Sequence, residues 1–180
     1  MRPIRCGAAA CGGLDYEGYI VESERARRAQ FRRVVMTNQV SSKAEIIEFL
    51  LRDFPQNPCS VEDVGNSSAT VKRRIGVGEL RPGGTVSGPV LMAVADVALY
   101  VAILGEVGIV PLAVTTNFTI NFLSKPAAEK SIVGVSRLMK IGRRLVVGEV
   151  TLYSEGTPAP VAHAVATYSI PPDRKEIPRA

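Results

Sequence analysis

The stretch that decides the fold is RPGGTVSGPVLMAVADVALYVAILGEVGIVPL, residues 81–112. It holds a nearly unbroken apolar run with one carboxylate, Asp96, in its midst. Length alone suits a membrane span. A central Asp, however, costs about 2.5–3.5 kcal/mol on insertion scales, and Gly105, Glu106 and Gly108 cut the run short. The remaining reading is a helix apolar on every side, which must be wrapped by protein. Gly83, Gly84 and Gly88 make a turn-rich approach to it, Ser87 is a candidate N-cap, and Pro89 suits the first helical turn. Such a helix calls for a sheet around it, and a buried Asp needs a partner or a purpose.

Outward from that helix the period changes. Leu112, Val114, Thr116, Phe118, Ile120 and Phe122 alternate with Ala113, Thr115, Asn117, Thr119 and Asn121, which predicts a long half-buried strand over 112–123. A further strand is expected over 131–141, with Val133, Val135, Met139 and Ile141 in register. Gly142-Arg143-Arg144 then reads as a hairpin turn or bulge. LVVGEVTLY gives the next strand, and VAHAVATYSI the last, with Ala162, Ala164 and Ala166 small enough to lie against a helix. Upstream, Ser41-Ser42 precede KAEIIEFLLRDF, a helix with Ile46, Ile47, Leu50 and Leu51 on one stripe. A polar linker containing Asn66, Ser67 and Ser68 is expected next, then a first strand from Val71 to about Gly78. A helix followed by a run of strands defines an α+β domain, an antiparallel sheet wrapped around a long central helix.

The 180 residues suit one domain with a sizeable core, and the formal charge is +5. The basic excess gathers before Met36, in Arg2, Arg5 and the Arg25–Arg33 cluster, so the rest is close to neutral. That argues against a nucleic-acid-binding core. Residues 1–38 lack periodicity and read as a flexible basic arm or upstream extension. The folded domain is expected over 39–172, with a charged tail at 173–180. Cys6, Cys11 and Cys59 have no metal-ligand spacing and read as reduced thiols. The start is too weakly apolar for a signal peptide. A cytoplasmic protein without metal, cofactor or membrane attachment is expected.

Four blocks carry a resemblance: GTVSGPVLMAVADVAL, VTTNFTINFLSKPA, LMKIGRRLVVGEVTLY and AHAVATYSI. In that order they resemble the hotdog-fold acyl-CoA thioesterases of the phenylacetate-pathway (PaaI) type, over residues 70–170. The resemblance implies a hotdog fold, hydrolysis of a small or medium acyl-CoA, aromatic or aliphatic, and a homodimer or homotetramer whose sites are built from both sides of an interface. In that family a His-Gly-Gly opens the central helix nine residues before an Asp. Asp96 matches the Asp, and Ser87-Gly88-Pro89 stand where the His-Gly-Gly would, beside the substrate. An Asn or Gln common in the family falls near Arg81, and the Ser or Thr that positions the nucleophile falls at Thr115.

The chemistry of each residue fits those roles. Asp96 is the candidate nucleophile or general base, and the Gly88 N–H, at a helix N-terminus, is the candidate oxyanion donor. Pro89 has no N–H to offer. Thr115 and Asn117 are candidates to orient the carboxylate or a water. Lys140, Arg143 and Arg144 flank a turn where charge-assisted contacts would hold CoA phosphates. The single histidine, His163, reads as an edge or surface residue, which demotes an acyl-thioester dehydratase. The expected function is an acyl-CoA thioesterase. The alternative is a non-catalytic acyl-CoA-binding or regulatory protein on the same fold.

Overall fold

The computed structural model describes residues 40–171; the expected arm (1–38) and charged tail (173–180) lie outside the described residues. Helix α1, Lys43–Asp53, opens with the capping box that Ser42 and Glu45 foreshadow. Glu45 N–H donates to Ser42 Oγ (3.3 Å), and Ser42 N–H donates to Glu45 Oε2 (2.7 Å). Its buried face is Ile46, Phe49 and Leu50, whereas Leu51 is 72 % exposed. The expected stripe is thus rotated by the demands of packing: Phe49 turns inward against the Tyr100 ring, 6.5 Å away.

The expected polar linker is instead half of a hairpin. Strands β1, Cys59–Gly65, and β2, Ser68–Arg73, pair antiparallel around Asn66 and Ser67, both at positive φ (52° and 56°). That is the tight-turn geometry whose twist suits a hairpin. A register shift between Val61 and Asp63 breaks the alternation, which is why β1 has no two-residue period. The same correction shortens the strand expected from Val71 to Gly78, which ends at Arg73. A 3-10 turn at Val77–Glu79 and the two-residue strands β3, Leu80–Arg81, and β4, Thr85–Val86, follow. Gly83 and Gly84 close that small hairpin at φ 91° and 62°, where a side chain would be strained.

The central helix α2 spans Gly88–Val107 and is long and apolar enough to cross a membrane. It lies instead on the concave face of a six-stranded antiparallel sheet, ordered β1-β2-β6-β7-β8-β5. The other strands are β5, Val114–Phe122; β6, Ile132–Ile141; β7, Leu145–Ser154; and β8, Pro160–Ser169. Val94, Ala95, Ala98, Leu99, Val101 and Leu104 of α2 are buried in that concavity. The sheet beneath is lined by small residues. Ala162, Ala164 and Ala166 are buried, as expected. An added Cβ at Gly134 would meet Val94 and Leu152 at 3.1 Å, and one at Gly148 would strike Leu99. This is the hotdog arrangement.

The close approach of α2 also reverses β6. Its inward row is Ile132, Gly134, Ser136 and Leu138, while Val135 and Met139 are exposed; a register shift between Leu138 and Lys140 then sets Ile141, also exposed, opposite buried Val146. Bulk cannot fit under the helix. Ser136 is accommodated because its buried hydroxyl lies 2.8 Å from the Ala98 carbonyl and 3.1 Å from that of Ala69. At the far end of α2, buried Glu106 accepts the Ser67 N–H through Oε1 (2.7 Å), tying the β1–β2 turn to the helix. Cys59 is a free thiol whose pKa burial pushes up to about 11.

Candidate active site

Asp96 sits midway along α2, on the side the sheet leaves uncovered. Pro89, Met92 and Ala93 on the preceding turns are exposed, and Asp96 itself is half-buried rather than enclosed. Two hydroxyls converge on it. Thr115 Oγ1 donates to Asp96 Oδ1 at 2.7 Å, and Tyr168 Oη donates to the same oxygen at 2.5 Å. No hydrogen bond from the described residues reaches Oδ2. One carboxylate oxygen is therefore fixed and the other is left for chemistry.

Thr115 gets there through a β-bulge. The register of β5 on β8 shifts between Thr115, opposite Tyr168, and Asn117, opposite Thr167. The extra residue, Thr116, turns its hydroxyl to the Thr167 carbonyl (3.1 Å). Before the bulge Thr115 faces α2; beyond it, the row Phe118, Ile120 and Phe122 does. Asn117 lies on the opposite face with Thr167, so it does not orient the carboxylate as expected. A bulge flips the side-chain parity, and simple alternation cannot show that. Nor is β5 half-buried: both its faces are largely exposed along its length.

Tyr168 is the residue that sequence reasoning missed. It is 2 % exposed, and its ring stacks on Tyr100 at 6.3 Å and 13°. Burial, and then the charge of Asp96 beside it, push the phenol well above its ordinary value, so it remains a proton donor. A signal was present: Tyr168 continues the every-second-residue row Ala162, Ala164, Ala166 that faces the helix.

The Ser87-Gly88-Pro89 turn starts α2. Ser87 occupies the N-cap position but makes no side-chain cap bond; its carbonyl instead takes the N–H groups of Val90 (3.1 Å) and Leu91 (3.3 Å). Pro89 has none to give. Gly88 is thus the one first-turn residue whose N–H is left without a partner among the described residues. The Phe122 ring closes over it, with Cζ at 3.2 Å from where a Cβ would stand. Upstream, Ser87 N–H is fixed by the Glu79 carbonyl (3.0 Å), and Glu79 is itself held by Arg73 at 2.7 Å. Arg81 is exposed on β3.

Of the expected set, then, Asp96 and Thr115 are brought into contact, while Gly88 is not close to them. Eight residues of helix separate Gly88 from Asp96, about 12 Å along the axis. Lys140, Arg143 and Arg144 stand exposed at the β6–β7 hairpin turn. Val146 pairs with Tyr168, and Tyr168 with Thr115, so that turn lies at the sheet end where the Asp96 partners lie. His163 is on the outer face, 3.2 Å from Glu149.

These features meet a recognised family. The thioesterase superfamily matches residues 83–160. A protein from Silicibacter sp. TM1040, named as a thioesterase candidate, is 41 % identical, with 76 % of this chain and 96 % of that one covered at a TM-score of 0.70. The chain belongs to the thioesterase superfamily. The fold is shared with the phenylacetic acid degradation protein PaaI of Thermus thermophilus (22 % identity, 66 % and 97 % covered, TM-score 0.57). It is shared too with a hypothetical thioesterase from Streptococcus pneumoniae, solved with coenzyme A (16 %, 70 % and 96 %, 0.59). No curated protein sequence matches the chain.

Proposed function

We propose that the protein is an acyl-CoA thioesterase that hydrolyses a small or medium acyl-CoA, aromatic or aliphatic, to the free acid and CoA. The observation that carries this reading is the Asp96 carboxylate, anchored through Oδ1 by two hydroxyls with Oδ2 left open. As general base, Oδ2 takes a proton from water, whose oxygen adds to the thioester carbonyl carbon. The tetrahedral oxyanion is held by the Gly88 N–H at the positive end of α2. Collapse expels the CoA thiolate, which takes the proton back from Asp96. As nucleophile, Oδ2 adds to that carbon itself and the CoA thiolate leaves as the C–S bond breaks; water then cleaves the mixed anhydride, freeing the acid and the Asp96 carboxylate, with the released proton passing to the thiolate.

One thioester cannot bridge Asp96 and Gly88 of a single chain. Its carbonyl oxygen and carbon would each need a partner within roughly 3 Å, yet the helix sets the two residues about 12 Å apart. The reading therefore requires Asp96 to face the partner subunit's Gly88 across a two-fold axis. The β5 edge supports such an axis. It is a nine-residue edge strand with no neighbour on its outer side among the described residues, and Phe122 and Leu123 are each 54 % exposed there. A long uncovered edge strand is a ready template for pairing with a second copy of the chain. Lys140, Arg143 and Arg144 supply the charge for CoA phosphates.

The test is release of free CoA thiol from a panel of acyl-CoAs by the parent and by Asp96→Asn. Hydrolysis is expected in the parent and a fall of at least about two orders of magnitude in the variant, the low end of general-base contributions. Equal rates would remove Asp96 from the mechanism. Tight acyl-CoA binding with no thiol release would favour the non-catalytic reading.

A further inference from the structure

We propose that Tyr168 is a positioning residue of the hydrolytic site, sharing with Thr115 the task of saturating one oxygen of Asp96 so that the other is the sole reactive one. The inference rests on the thioesterase reading and adds to it a residue on a strand to which the family resemblance assigns no role.

The geometry is specific. A phenol has one proton to donate. Tyr168 Oη is 2.5 Å from Asp96 Oδ1 and 3.0 Å from the Asp96 carbonyl, so the shorter contact, to the charged group, takes the proton. Thr115 donates to that same Oδ1 from the neighbouring strand. Two donors from two strands on one oxygen fix the carboxylate plane. A single donor would leave it free to swing about its χ2, which is broad for Asp. Tyr168 is itself immobilised. Its ring lies on Tyr100, and Tyr100 donates its hydroxyl to the Val110 carbonyl at 3.3 Å and meets the tilted Phe49 ring of α1. The hydroxyl is therefore placed by the core rather than by the substrate. Its donation to Oδ1 holds the carboxylate in one orientation, with Oδ2 turned away from both donors.

The variant that tests this is Tyr168→Phe, which keeps the ring and its stacking and removes only the hydroxyl. The substrates are phenylacetyl-CoA and hexanoyl-CoA. With whichever the parent turns over, kcat is expected to fall about tenfold to a hundredfold, the worth of a hydrogen bond to a charged group. KM should stay within about twofold, because the lost bond is not to substrate. A readout independent of turnover is the Asp96 carboxyl-carbon NMR signal at neutral pH, which should shift and broaden as the carboxylate loses one of its two donors. An unchanged kcat and an unchanged Asp96 signal, with or without a drop in Tm, would overturn the proposal and leave the thioesterase reading standing. A parent that releases no CoA thiol, while Tyr168→Phe still changes the Asp96 signal, would overturn the thioesterase reading and keep Tyr168 as the residue that sets the carboxylate.

Discussion

Ser87 and Asn117 separate what the site needs from what merely surrounds it. Ser87 stands where the resembling enzymes carry histidine, yet its hydroxyl makes no cap bond and its carbonyl already serves Val90 and Leu91. Ser87→His should therefore change the hydrolysis rate by only a few-fold, because proton transfer to Asp96 supplies the larger factor. Steady-state rates on one acyl-CoA decide it; a gain of several orders would mean that the parent site is chemically incomplete. Asn117→Ala should leave kcat within about twofold, because the bulge at Thr116 turns that side chain away from Asp96. Thr115→Ala, one position before the bulge, should lower kcat instead. Asp96 was legible in the sequence because a lone carboxylate in an apolar helix is conspicuous; Thr115 was singled out from its polar neighbour Asn117 only by the family resemblance. Tyr168 was not, because an aromatic among alanines reads as core, and its hydroxyl finds a partner 72 residues away in the chain. Long-range hydrogen bonds leave no local mark.

The elements were legible where burial dictates period and obscure where packing is tightest. The central helix and strands β6, β7 and β8 lie close to the expected ranges, since each holds a long, regular run of apolar residues. The face that β6 turns to the core could not be read from residue size. Its valines point outward because α2 runs against Gly134, Gly148 and the alanines of β8. That contact makes a prediction at this scale. Gly148→Ala would drive a methyl into Leu99, with the Arg137 carbonyl at 2.9 Å on another side, and neither the helix nor the neighbouring strand has room to withdraw. Overpacking of this kind costs about 1–3 kcal/mol, several degrees of Tm for a domain of this size. Gly78→Ala, where nothing lies within 4 Å, is the control and should leave Tm unchanged. Thermal unfolding of the two variants checks it; equal Tm values would mean that α2 does not bear on the sheet as closely as described. The hairpin β1–β2 escaped notice for a different reason, since the register shift at Val61/Asp63 erases the alternation by which a strand is read.

At the scale of the whole molecule, the proposed roles of Gly88 and Asp96, taken with their separation along one helix, call for an assembly. Pairing across the β5 edge would bring each Asp96 to the partner subunit's Gly88, so each site would take its base from one chain and its oxyanion donor from the other. Complementation distinguishes this from a site within one chain. Gly88→Pro removes the N–H, and its ring carbons ask the Phe122 tip to yield by a few tenths of an ångström. Asp96→Asn removes the base. Either variant alone should be nearly inactive. Coexpressed with two affinity tags and purified through both, they give heterodimers in which the Asp96 of the Gly88→Pro chain faces the intact Gly88 of the Asp96→Asn chain. One of the two sites is then whole, and the heterodimer should recover about half of the parent rate per dimer. Sites confined to single chains would give none, because every chain carries a lesion. Recovery near half would establish the crossed site. Silence from the heterodimer, with the parent active, would mean that a donor other than Gly88 holds the oxyanion, since the helix spacing forbids Gly88 and Asp96 of one chain from serving the same thioester.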